Sequence, residues 1–101
     1  MSGWSSAARV KTEMPGRYMR QMCSHFGHKV PTVCDEEAGE VAFPFGTCRF
    51  RVAEGRLDLS AEAASEAELL RVQEVIGKHL ARFAWRETPE ITWDVPPVPA
   101  A

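Results

Sequence analysis

From Val41 to Ala63 apolar and polar residues largely alternate, and on either side of this stretch the apolar residues recur at helical spacing instead. A period of two puts every second side chain on one face of a strand, whereas a period of about 3.6 draws an apolar stripe down one side of a helix. Elements with one oily face must cover one another. Strands gathered between two helices therefore predict a two-layer α+β sandwich, an antiparallel sheet of about four strands with both helices on one face. A parallel α/β sheet would need strands and helices to alternate, and they do not.

Local signals place the elements. Ala8, Val10 and Thr12 alternate with Arg9 and Lys11, which reads as a first strand. Pro15 suits a helix start, where its missing N–H costs nothing, and Tyr18, Met19, Met22, Cys23 and Phe26 then form a stripe. Gly27 is expected to stop that helix in a left-handed conformation. Val30 to Asp35 reads as a strand, held to a sheet edge by Pro31. The run Asp35 to Gly39 is a turn. The phase change at Gly46-Thr47, between Phe45 and Cys48, predicts a turn or bulge, and Glu54-Gly55 a hairpin. Ser65 with Glu68 makes a capping box ahead of Leu69, Val72, Ile76, Leu80 and Phe83. Gly77 inside this helix costs up to about 1 kcal/mol relative to alanine, and is expected to permit close approach to the sheet or the other helix. Pro89 ends the element, and Ile91, Trp93 and Val95 suggest a last short strand. Residues 1–6 and the Pro-rich 96–101 read as tails around a single domain, 7–95.

A chain of 101 residues has room for one core, and dimerisation would add to its modest stability. A net charge of -2 with only short basic pairs, Arg17 with Arg20 and Arg49 with Arg51, argues against a nucleic-acid partner. No stretch approaches the roughly 18–20 apolar residues that span a bilayer, and the N-terminus lacks the pattern of a secretory signal. Three cysteines without a C-x-x-C pattern predict reduced thiols and a cytoplasmic setting.

Chemistry concentrates near the helix ends. In Cys23-x-His25-x-x-His28, residues three apart share a helix face, so His25 and His28 are candidate metal ligands, with Cys48 or His79 completing a zinc or iron set. The plainer alternative puts His25 at the edge of the stripe and His28 at the helix's negative end. His79 falls on the stripe of the second helix, as a core imidazole bonded to a backbone carbonyl or as a functional group. Cys48 is a small buried apolar residue or, beside His28 or His79, half of a nucleophilic Cys–His pair. Arg82 and Arg86 either complement a helix dipole or, with Lys29, offer a site for a small anionic ligand. Paired catalytic carboxylates, a Gly-rich phosphate loop and a nucleophile elbow are absent.

Three blocks, Tyr18 to Lys29, Gly46-Thr47-Cys48 and His79 to Glu87, resemble in order and spacing the bacterial Domain of Unknown Function 2218 family over roughly residues 7 to 94. Phe26 and Trp85 depart from the Trp and Phe associated with those positions, and remain aromatic. The resemblance implies a fold similar to TATA-binding-protein-like or phosphohexomutase C-terminal domains, and no established activity. It also implies an iron-acquisition context, since some relatives look like appendages or neighbours of siderophore-interacting flavin reductases. The residues matching its blocks are His25, His28, Lys29, Cys48, His79, Arg82, Phe83 and Arg86, without assigned roles. Three readings follow. The first is a non-enzymatic binding or accessory module for iron, zinc, haem, a ferric siderophore or a reductase partner. The second is a small enzyme using Cys48 with His28 or His79, and the third a homodimeric interaction domain.

Overall fold

The computed structural model describes residues 3–94 and 98–100, the last three through their backbone. The elements run β1 (Gly3–Lys11), α1 (Pro15–Gly27), β2 (Thr32–Cys34), β3 (Ala38–Phe43), β4 (Gly46–Ala53), β5 (Arg56–Ala63), α2 (Glu66–Phe83) and β6 (Val98–Ala100). The strands form one antiparallel sheet in the order β2-β3-β4-β5-β1-β6. Five strands make its body and the three-residue β6 joins at the edge, so the expectation of about four strands falls short. The shortfall comes from both ends of the chain. Residues 3–6, expected as tail, belong to β1, and part of the Pro-rich C-terminal segment pairs with it. Trp93 adds an isolated bridge to Ala8, while Val95 lies outside the described residues.

Both helices cover the same face. Val10, Val41, Cys48, Phe50, Leu57 and Leu59 project from the sheet into the layer filled by Met19 and Met22 of α1 and Leu69, Val72, Ile76 and Leu80 of α2. Each large apolar side chain so buried contributes about 1.5–3 kcal/mol. The alternate residues Arg49, Arg51, Ser60 and Glu62 stay exposed, so the other sheet face carries no helix.

The helix ends follow local chemistry. Ser65 Oγ accepts from the Glu68 backbone N–H at 3.2 Å and bonds the Glu68 carboxylate at 3.0 Å, which closes the predicted N-cap. At the end of α1 the Phe26 carbonyl accepts from the N–H groups of Lys29 and Val30 at 3.0 and 2.9 Å. Gly27 keeps a negative φ, so the expected left-handed stop is replaced by this tight turn ahead of Pro31. The phase change at Gly46 is a two-residue hairpin turn at Pro44-Phe45 with Phe43 paired to Gly46, and not a bulge. A Cβ at Gly46 would stand 2.6 Å from the Glu62 carbonyl oxygen and 2.7 Å from a methyl of Val72, so only glycine lets β4 start beneath α2.

Candidate functional site

The helices lie antiparallel, and this brings the two imidazoles together. Tyr18, early in α1, hydrogen-bonds Glu87 just beyond α2, and His25 at the other end of α1 packs on His79. The rings of His25 and His79 are 4.9 Å apart, tilted by 43°. His25 also meets Phe83 edge-on at 5.8 Å, and His79 meets Phe26 at 4.8 Å. From Phe26 the row continues to Phe43 at 5.0 Å and to the stacked Phe45 at 5.0 Å, over which the Arg71 guanidinium lies at 4.3 Å. Six rings thus run from α1 and α2 to the tip of the β3–β4 hairpin.

Hydrogen bonding sets the tautomer of His79. Its Nδ1 lies 2.7 Å from the Val75 carbonyl oxygen, which can only accept, so Nδ1 carries the proton and Nε2 keeps a free lone pair. His25 is exposed, yet its pKa is lowered from the ordinary 6.5. Partial desolvation is the main cause, followed by repulsion from the His79 imidazole whenever it is protonated, from Lys29 and Arg82, and from His28 whenever it is protonated. The charged groups that act most strongly on His25 are cations or imidazoles that become cations. Gln21, four residues earlier and so on the same helix face, keeps Oε1 buried with no partner among the described residues.

The remaining expected site residues separate from this cluster. Cys48 is fully buried within the sheet, its thiol directed to the Arg49 carbonyl and its pKa pushed far up by desolvation. The groups that act on it are Ser60, Cys23 and Arg49, not an imidazole. Strand alternation turns Cys48 into the core while the histidines stand at the rim of the helical layer. The expected Cys48 pairing with His28 or His79 is therefore corrected, and so is the four-residue metal set of His25, His28, Cys48 and His79. Among the described residues no group of three His, Cys, Asp or Glu side chains is arranged to hold an ion. Arg86 lies over Trp85 at 5.0 Å and acts on Tyr18 at the opposite end of the helix pair, so it too leaves the cluster.

Sequence reasoning missed two features here. Phe43 and Phe45 read as part of one alternating strand, but β3 ends at Phe43 and the turn at Pro44-Phe45 stacks the two rings, which reach the imidazoles only through Phe26. Glu87 reads as a helix-end charge, yet it accepts from the Thr12 hydroxyl at 2.8 Å and the Glu13 N–H at 3.1 Å, and its pKa is lowered chiefly by the Tyr18 hydroxyl.

On the opposite side, the helix-free face curves into a concavity of about 650 Å³ lined by Arg9, Arg49, Arg51, Asp58 and Ser60 among others. Its charges cancel locally. Arg49 pairs with Glu40 and Glu62, and Asp58 pairs with Arg56 while lying directly between Arg9 and Arg51 in the strand ladder. No single sign of charge converges there, in contrast to the imidazole cluster. No described helix is long and apolar enough to cross a membrane.

The comparisons agree with this architecture. The NMR structure of PA4090 from Pseudomonas aeruginosa superposes with a TM-score of 0.78 at 29% identity, over 91% of this chain and 96% of that one. No curated protein matches the chain in sequence. The profile of a family described as an uncharacterized protein conserved in bacteria matches residues 7–94, and the chain belongs to that family, Domain of Unknown Function 2218.

Proposed function

We propose that this domain is a non-enzymatic binding module for an anion with a flat conjugated surface, seated where His25 meets His79. The observation that supports this reading is the pairing of a ring platform, His25 with His79 and Phe83, with charge of one sign from His28, Lys29 and Arg82. An unliganded site of this kind holds His25 neutral, and an arriving anion would let it charge. A flat ligand gains ring contact as well. Ferric catecholate siderophores and haem combine both properties, and the family resemblance to siderophore-associated proteins favours them. A bare iron or zinc ion suits the site less, because two imidazoles alone would hold it among cations. Catalysis through Cys48 has no support from its buried, protonated thiol.

Calorimetric titration with ferric tris-catecholate, haem and inorganic phosphate tests the reading. A conjugated anion should bind with a Kd of about 10 µM or better, phosphate more weakly, and joint reversal of Lys29→Glu and Arg82→Glu should weaken binding at least about tenfold, or about 1.4 kcal/mol. Absence of binding by both conjugated anions at about 100 µM, or binding indifferent to the reversal, would overturn it.

A further inference from the structure

All three cysteines are free thiols, and two of them meet. Cys23 sits on the buried stripe of α1, and its Sγ stands over Gly39 so closely that a Cβ there would come within 2.8 Å of it. The cross-strand partner of Gly39 is Cys34 on the edge strand β2. Directly paired residues send their Cβ positions to the same sheet face, about 4.5–5.5 Å apart. Cys34 therefore projects beside Cys23 on the helix-covered side, near enough to help raise the Cys23 pKa, while its own thiol is directed to the Asp35 carbonyl at 3.5 Å. Their access differs sharply. Cys34 is exposed, Cys23 is 5% exposed and Cys48 is sealed in the core.

We propose that Cys23 and Cys34 form a dithiol modification site, which low-molecular-weight disulfides oxidise to a Cys23–Cys34 disulfide stapling α1 to β2. The Cys34 thiolate attacks one sulfur of the small disulfide RSSR, whose S–S bond breaks, and the departing RS⁻ takes a proton. Cys23 then gives its proton to solvent and attacks Cys34 Sγ, breaking the mixed disulfide and releasing a second RS⁻. Two protein thiols are oxidised while one small disulfide is reduced to two thiols. Access sets the order of attack. Burial and the neighbouring Cys34 push Cys23 up to about 12, so it resolves the mixed disulfide rather than starting the exchange. The closed loop contains His25, His28 and Lys29, so the staple tethers the segment that supplies half of the imidazole cluster. The thiol chemistry stands whether or not that cluster takes an anion.

Incubating the reduced protein with oxidised glutathione, then counting thiols under denaturing conditions, tests the proposal. The count should fall from three to one, the intact mass should drop by two hydrogens, and peptide mapping should join Cys23 to Cys34. Dithiothreitol should restore all three. Cys23→Ser should stop at a glutathione adduct on Cys34, and Cys34→Ser should keep both remaining thiols at least tenfold longer than the wild type loses its pair. A lasting adduct at Cys34 in the wild type, retention of all three thiols, or a link through Cys48 would overturn the proposal. Should Cys23→Ser fail to fold, the wild type and the exposed-site variant Cys34→Ser decide it between them.

Discussion

His25 carries its ring against His79 and Phe83 while cations from both helices act on it, so the folded chain favours the neutral imidazole. In the unfolded chain the same group titrates near 6.5. Between the lowered folded value and 6.5 the unfolded chain binds a proton that the folded chain refuses. Stability therefore rises with pH through that window and is lost as pH falls below 6.5. The expected result is a melting temperature that declines from neutral pH toward pH 5, with a shallower decline in His25→Gln. Proton NMR should place the His25 midpoint below 6.5, and bound anion should move it up. At Gly46 the constraint is steric. Because a Cβ would meet a backbone carbonyl and the branched Val72, neither can rotate away, and Gly46→Ala should cost about 1–3 kcal/mol in urea unfolding.

At the scale of elements, α2 is a packed stripe with one unused opportunity. Nothing lies within 4 Å of a Cβ placed on Gly77, so the expected close approach is not there and the glycine only weakens the helix. Gly77→Ala should raise stability by about 0.5–1 kcal/mol, read from the denaturation midpoint at constant slope. Glu87 laces this helix's end to the turn between β1 and α1, accepting from Thr12, Glu13 and Tyr18. Glu87→Ala should therefore cost about 1–3 kcal/mol, with Glu87→Gln recovering part of the loss, since the amide oxygen still accepts. The boundaries of α1 and the capped start of α2 were legible because their signals are local: Pro15, the apolar stripe, and Ser65 with Glu68. The Glu87 lacing was not legible, because Thr12 lies 75 residues away in the chain. Nor was the meeting of Cys23 with Cys34, which depends on the register that sets Cys34 against Gly39. The approach of His25 to His79 followed from both stripes facing one sheet, whereas the contribution of Phe43 and Phe45 turned on a two-residue difference in where a strand ends.

Across the whole molecule, the sheet has two edges, and each is protected differently. At one edge β2 is three residues long and preceded by Pro31, which has no N–H to offer a neighbouring chain. At the other, Asp94 and β6 lie against β1. The Asp94 N–H donates to the Ala7 carbonyl at 2.9 Å, the Ser6 hydroxyl donates to the Asp94 carbonyl at 3.2 Å, and β6 pairs Val98 to Ala100 with Ser5 to Gly3. Proline is tolerated in β6 because an outermost strand needs only one side of its backbone for pairing. Composition alone marks this stretch as polyproline-like tail, since nothing in it announces the open β1 edge it meets. Removing residues 96–101 should leave the domain folded, because β1 stays paired to β5 from Trp4 to Lys11. It should also bare the backbone of Gly3 to Ser5, an invitation to pair with another chain. The expected outcome is a melting temperature a few degrees lower and a light-scattering mass that climbs with concentration, while the full chain's mass does not. A truncated chain that matches the full one in both measurements would show that β6 neither stabilises nor shields the edge.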